Sequence, residues 1–280
     1  MWNGKILMQI IKNFFVKSFR KFGYEILGRK KIVKHNSFDA IHAYLLKNLL
    51  NIDKEILIFD VGANEGDSIT RFRNLFTNPQ IHSFEPTEDL FKKIKKNFNL
   101  SNLSLNNYAL GKNKEKRNFY IYNYHRVNSF YPMENNSKYK KQRTKNNFEN
   151  EKVKLVDVVS IDDYCLKNKI SRINLLKIDT QGSEAEVLLG AKNFLGNQLI
   201  DIIELEYIFG IAHQNANSLY DIEKTLNANN YKLIAIEKGG NILSFSNYQT
   251  NLIYVKQKIF DEIKKFHEKN IDVKNVTYSV

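Results

Sequence analysis

The stretch Glu55-Ile-Leu-Ile-Phe-Asp60 is a short apolar run ending in a carboxylate, and Val-Gly62-Ala-Asn64-Glu-Gly66 follows it directly. Glycines at such a turn let the backbone bend and let a ligand approach the main chain. A helix starting beyond the turn offers free N–H groups and the positive end of its dipole. Two phosphate-binding patterns fall away. A P-loop needs Gly-Lys-Ser/Thr, which is missing, and a dinucleotide turn needs G-x-G-x-x-G, whereas Gly62 and Gly66 are spaced G-x-x-x-G. An adenosyl ligand without a pyrophosphate remains. Asp60 points the same way, because a carboxylate at a strand tip repels phosphates and attracts a cation such as the amino group of S-adenosylmethionine. Glu85, in Phe84-Glu85-Pro86, follows the turn by about 20 residues, where an acidic side chain accepts hydrogen bonds from ribose hydroxyls. A lone Glu is ordinarily solvated surface; its place at a strand end on the ligand edge sets this one apart.

These residues meet only if the elements around them form one sheet. Ser37 can cap a helix from Phe38 to about Leu50. The apolar run 55–60 is a buried strand, Ser68 to Phe76 a helix stopped by Asn78-Pro79, Gln80 to Phe84 a second strand, and Thr87 to Phe98 a helix with Lys92, Lys93, Lys95 and Lys96 outward. Leu103 to Ala109 reads as a third strand. Strand and helix alternating at this spacing make a parallel α/β sheet. Right-handed crossovers then bring every strand C-terminus to one edge, where ligands bind. Further strands are expected over 117–122, 153–159, 174–178 and 199–205, with helices over 160–167, 183–195 and 218–229. Tyr231–Glu237 and Asn251–Val255 can pair antiparallel, and Phe260 to Lys269 is a short amphipathic helix. Residues 123–150 are polar and basic without periodicity, a length that in a compact domain marks a functional or disordered loop.

With the order of motifs in view, the chain resembles the FkbM-type methyltransferases that use S-adenosylmethionine. The resemblance runs through Phe59-Asp-Val-Gly-Ala-Asn-Glu-Gly66, Ser83-Phe-Glu-Pro86, Tyr108-Ala-Leu-Gly111, Val158-Val-Ser-Ile-Asp-Asp163, Leu176-Lys-Ile-Asp-Thr-Gln-Gly-Ser-Glu184 and Val187-Leu-Leu-Gly-Ala191. It covers roughly residues 55–255, and many relatives carry Glu where this chain has Gln181. It implies a class I methyltransferase fold: α/β, Rossmann-like, a mostly parallel seven-stranded sheet flanked by helices, with one antiparallel strand. It implies S-adenosylmethionine as cofactor, held by Asp60, Gly62, Asn64, Gly66, Glu85, Pro86, Ala109 and Asp179. It also implies O-methylation of a hydroxyl on a sugar, polyketide or related natural product.

Methyl transfer to a hydroxyl requires donor and acceptor in line, so positioning carries much of the rate. The acceptor must also lose a proton, which calls for a general base. Asp179, ending a buried strand on the ligand edge, is the first candidate; the competing reading is that it holds the turn before Ser183. Glu204 and Glu206 alternate on one strand and share a face, so either one, Glu206 above all, is a second candidate. Glu184 suits a helix start. His213, in a loop after that strand, is a third candidate or simply exposed. His82 reads as structural, and His125 opens the basic insert at the substrate side. No His, Asp or Glu spacing matches a metal motif, and no metal is expected.

The chain has 280 residues, 42% hydrophobic and 12% aromatic, enough for a packed core. One cysteine, Cys165, leaves neither a disulfide framework nor a Cys-based zinc site. The formal net charge is +13. Residues 1–35 carry nine Lys and Arg against one Glu, and residues 112–154 carry twelve against four acids, so the rest is mildly acidic. That distribution favours local tethering or an anionic acceptor over a nucleic-acid face, and nucleic acid is not the expected partner. Leu7, Ile11, Phe14, Phe15, Phe19 and Phe22 fall at helical spacing among Lys12, Lys17, Arg20 and Lys21. Such a helix lies on an anionic bilayer or packs on the domain with its cations solvated; both readings stand. The interrupted apolar runs suit neither a membrane span nor a signal peptide, and a cytoplasmic protein is expected, with peripheral contact at the inner face of the membrane through residues 5–34. The expected organisation is a basic extension (1–36), a methyltransferase domain (37–256) with its insert at about 123–150, and a helical tail (257–280). The expected acceptor is a small molecule, glycan or glycolipid. Two alternatives are an RNA methyltransferase using the aromatic, basic insert and a non-catalytic adaptor on the same scaffold.

Overall fold

The computed structural model describes residues 24–27, 31–34, 38–50, 52, 55–134, 152–209, 213–237 and 249–270. The amphipathic stretch 5–22 and the cations between 138 and 145 lie outside the described residues. The chain enters through an antiparallel pair, β1 (Tyr24–Leu27) and β2 (Lys31–Lys34), and helix α1 (Phe38–Ala43), which runs on as a π-type turn over Tyr44–Leu49. Next come β3 (Leu57–Val61), α2 (Asp67–Leu75), β4 (Gln80–Phe84), α3 (Glu88–Asn97) and β5 (Leu103–Asn106). Then β6 (Ala109–Leu110), β7 (Glu115–Ile121) and β8 (Lys152–Val159) form a small separate sheet in the order β6-β8-β7. The second half runs α4 (Ile161–Lys167), β9 (Ile173–Ile178), α5 (Glu184–Leu189), α6 (Lys192–Gly196), β10 (Ile200–Ile208), α7 (Leu219–Ala228), β11 (Tyr231–Ile236), β12 (Gln249–Lys256) and α8 (Gln257–Asn270).

The central sheet has seven strands in the order β11-β12-β10-β9-β3-β4-β5. Neighbours from β10 to β5 are parallel, and β12 runs antiparallel to both β10 and β11. This is the α/β class and the mostly parallel sheet expected. Helices cover both faces, which is why β3, β9 and β10 read as nearly continuous apolar runs. Ile58, Leu175 and Ile202 join the core under α1 and α2, while Phe59, Leu176 and Ile203 join the core under α4, α5 and α7. Residues of β3, β9 and β10 paired in register therefore share a face: Asp60, Lys177 and Glu204 stand side by side beneath α1 and α2.

Two elements depart from the sequence reading. The third strand is split, β5 staying in the main sheet while β6 joins the small one. Asparagine amides replace the ladder where the chain leaves: Asn106 Nδ2 donates to the Ser83 carbonyl at 3.2 Å and Asn107 Nδ2 to the Glu85 carbonyl at 2.9 Å. The helix expected over 183–195 breaks at Gly190, where the Gly111 backbone passes so close that a Cβ would lie 2.0 Å from its carbonyl oxygen. The chain restarts as α6 on the Asp162 carboxylate, which accepts from the backbone N–H groups of Asn193 and Phe194 at 2.8 and 3.2 Å. Among the described residues no helix is long and apolar enough to cross a membrane.

Candidate active site

A cavity of about 200 Å³ opens at the C-terminal ends of β3, β4, β9 and β10. The turn after β3 forms its floor. Gly62 has φ +81°, and a Cβ there would fall 1.9 Å from the Asp179 carbonyl oxygen, so only glycine lets the ends of β3 and β9 close this tightly. Asn64 also adopts a left-handed conformation (φ 51°), and Gly66 (φ +90°) abuts the Phe98 ring. The Asn64 backbone N–H donates to Glu85 Oε2 at 2.9 Å, and the Thr87 N–H to Glu85 Oε1 at 2.8 Å. Glu85 is 4% exposed, and burial pushes its carboxyl up to about 7 despite those two donors. Pro86, Leu90, Ala109, Leu110, Phe119 and Phe130 supply an apolar wall beside it.

Asp60 is fully buried and does not line the cavity. Its Oδ2 accepts from Ser68 Oγ at 2.6 Å and Ser83 Oγ at 3.3 Å, and its Oδ1 lies 3.4 Å from Lys177 Nζ. It therefore braces the start of α2 against β3 and β4 from beneath the turn. Gly66 is likewise outside the lining, whereas Gly62, Asn64, Glu85, Pro86, Ala109 and Asp179 line it.

The opposite wall carries two carboxylates. Gln181 (φ 57°) turns its amide across them, Nε2 donating to Asp179 Oδ1 at 3.0 Å and to Glu206 Oε2 at 2.8 Å. Gln249 Nε2 donates to the other Glu206 oxygen at 2.7 Å. Burial first, and the Asp179 charge second, hold the Glu206 carboxyl well above the usual carboxylate range, with Lys177 opposing. Asp179 Oδ2 lies 3.5 Å from Lys177 Nζ, and the Asp179 side chain keeps 32% of its surface exposed. Such a pair can hold one proton between two acids and leave the other free to accept one.

Other sequence candidates stand apart. His213 is buried outside the lining; its Nε2 faces the Val127 carbonyl at 3.0 Å, so it staples its loop to the cover of the cavity, and burial lowers its pKa. Glu204 is tied up by Arg71, bidentate at 2.7 and 3.0 Å, and by His42. Glu184 accepts from the N–H groups of Thr180 and Gly182 and so holds the turn after Asp179. His82 packs face to face on Phe59 and meets the Tyr164 hydroxyl at 2.7 Å. His125 does line the cavity, within the cover formed by residues 124–130. That cover is stitched down by Asn64 Nδ2 to the His125 carbonyl at 3.2 Å, Arg126 to Asp67 at 2.8 Å and Ser129 Oγ to the Gln181 carbonyl at 2.8 Å. Sequence reasoning missed Lys177 and Gln249. Lys177 carried a usable signal, a lone cation inside a buried strand two residues before Asp179; Gln249 carried none.

The lining suits S-adenosylmethionine better than a polyphosphate. Glu85, Asp179 and Glu206 face the space, and the guanidinium of Arg126 is already paired with Asp67. Asn64 Oδ1 is buried with no hydrogen-bond donor among the described residues, and an apolar wall stands next to Glu85. Among the described residues no cluster of three His, Cys, Asp or Glu is placed to hold a metal ion.

Comparison with known proteins adds the family. The model of the methyltransferase FkbM domain matches residues 60–233. No curated protein matches the chain significantly. Among solved structures, the magnesium protoporphyrin IX methyltransferase of Synechocystis PCC 6803 with bound S-adenosylmethionine is similar at 12% identity, covering 78% of this chain and 77% of that one, with a TM-score of 0.41. The fibrillarin pre-rRNA processing protein of Methanococcus jannaschii is similar at 10% identity, with coverages of 84% and 82% and a TM-score of 0.42. A precorrin-6y C5,15-methyltransferase of Geobacter metallireducens GS-15 is similar at 12% identity, with coverages of 82% and 92% and a TM-score of 0.39.

Proposed function

The chain belongs to the FkbM methyltransferases, enzymes that use S-adenosylmethionine, and from that premise we propose that it methylates a hydroxyl oxygen with Asp179 as the general base. Bound in the cavity, the cofactor supplies a methyl group activated on a sulfonium sulfur. Gly62, Asn64, Glu85, Pro86 and Ala109 form the half that holds it: Glu85 accepts from the ribose hydroxyls, and Asn64 Oδ1 takes a donor that the described residues do not provide. Asp60 acts on this half from beneath, by bracing the turn. The acceptor enters beside Asp179, Glu206 and His125. Asp179 would take the proton that the acceptor hydroxyl gives up on methylation.

The observation that carries this reading is the Asp179–Gln181–Glu206 arrangement. Burial and the neighbouring Asp179 hold the Glu206 carboxyl well above the usual range, and Asp179 is the partly exposed acid of the two on the cavity wall. The acceptor class proposed is a surface glycan, glycolipid or related natural product, approached at an anionic membrane face through the basic residues 5–34. The test is to incubate the protein and its Asp179→Asn variant with S-adenosylmethionine and extracted surface glycans and lipids, and to follow methylation by mass spectrometry. Wild type adds a methyl to oxygen, and Asp179→Asn loses about a hundredfold or more of the rate while still binding S-adenosylhomocysteine. Full activity in the variant would remove Asp179 from the chemistry.

A further inference from the structure

We propose that Lys177 is a positioning residue for methyl transfer, its buried ammonium tying the cofactor turn to the carboxylate that takes the acceptor's proton. The inference rests on Asp179 as the base and goes past it, to what sets the state of that base. Lys177 does not line the cavity. It sits one residue before the C-terminal end of β9, in register with Asp60 of β3 on one side and Glu204 of β10 on the other. Its Nζ lies 3.4 Å from Asp60 Oδ1 and 3.5 Å from Asp179 Oδ2. The charged groups facing it are Asp60 from β3, Asp179 from its own strand, and Glu204 and Glu206 from β10.

The distribution of partners shows where its charge is used. Glu204 has its own partners in the guanidinium of Arg71 and the ring of His42. Asp60 receives two hydroxyls, but its only cation among the described residues is Lys177. Asp179 receives the Gln181 amide, and it too has only Lys177. One ammonium therefore serves both the carboxylate that braces the Gly62–Gly66 turn and the carboxylate in the cavity. Burial works against the charge on Lys177, yet the four surrounding acids outweigh that cost and hold it protonated above the ordinary lysine range. A fixed positive charge beside Asp179, but further from Glu206, sets the two acids apart by favouring the carboxylate nearer to it. Without Lys177, Asp179 would face Glu206 and the buried Glu184 with no cation, and a proton would be shared or move to Asp179.

The experiment reads protonation directly and needs no acceptor. The side-chain carboxyl carbons of the full chain are labelled with carbon-13 and followed by NMR across pH, with Asp179→Asn and Glu206→Gln assigning the two signals. Lys177→Met is compared with wild type and with the conservative Lys177→Arg. Because Lys177→Met leaves Asp60 as a lone buried charge, the double variant Asp60→Asn/Lys177→Met is measured as well, in which the ion pair is removed whole. Circular dichroism and a cooperative thermal transition confirm that each protein is folded. The proposal expects the Asp179 midpoint to rise by about one pH unit or more in both variants lacking the cation, and to return in Lys177→Arg. Unchanged midpoints in the folded double variant would overturn it and leave Lys177 a structural residue. That outcome would not touch the assignment of Asp179 as base, which is read from the methylation assay.

Discussion

At the scale of single residues, Glu85 balances two demands. Each of its oxygens already accepts one backbone N–H, yet burial pushes the carboxyl up to about 7 from an ordinary 4.5. A folded-state value above the unfolded one means that the native protein binds the extra proton. Its contribution to stability is complete below about pH 4.5 and is lost as pH rises through about 7, by roughly 3 kcal/mol in all. Ribose hydroxyls favour the ionised form, so cofactor binding should expel a proton. S-adenosylhomocysteine should therefore bind more tightly at about pH 8 than at about pH 5.5, and the slope should vanish in Glu85→Gln. Calorimetry in buffers of different ionisation enthalpy measures that proton, and equal affinities at both pH values in wild type would contradict the assignment. Glu85 was legible in the sequence because Phe-Glu-Pro at a strand end has few other uses. Glu204 and Glu206 were not separable, since alternation places both on one face and says nothing of Arg71 arriving from α2 to take one of them.

At the scale of elements, the same Arg71 fastens three pieces together. Its guanidinium reaches Glu204 on β10 and Asp39 on α1 from its own place on α2. Burial opposes the charge of Glu204, but Arg71 and His42 more than offset it and hold the carboxyl far below its usual range. Arg71→Met strands that carboxylate in the core, a loss on the order of 3–5 kcal/mol, whereas Arg71→Met with Glu204→Leu removes both charges and should recover much of it. Urea denaturation of the single and double variants measures the difference, and a double variant as unstable as the single would locate the loss in packing. Helix and strand types were readable from periodicity and boundaries; breaks set by long-range contact were not. Gly190 looks like an ordinary helical glycine in the sequence, and only the Gly111 carbonyl against it shows why no side chain fits there. Leu103 to Ala109 has one continuous pattern, and the side chains of Asn106 and Asn107 decide where it leaves the sheet.

At the scale of the whole molecule, charge and chemistry are kept apart. The cations are concentrated in residues 1–35 and 112–154, and the remaining chain is mildly acidic. The acids of the buried row and Asp179 are balanced locally by Lys177 and Arg71, which lie outside those two segments. If the excess of positive charge serves to hold the enzyme at a membrane-borne acceptor, tethering and cofactor binding must be separable. The described lining of the cavity comes wholly from residues 61–249, so replacing Lys12, Lys17, Arg20 and Lys21 by Gln should leave the affinity for S-adenosylhomocysteine at that of wild type. Sedimentation with vesicles containing anionic lipid should fall steeply, because each basic residue near such a surface contributes about 1 kcal/mol. Salt should mimic the substitutions, weakening wild-type binding as the Debye length shrinks below about 8 Å. Wild-type protein that ignores anionic vesicles at low salt would break the link between the extension and the membrane. The charge would then belong to the acceptor, and the glycan extracts that support methylation should be enriched in anionic species.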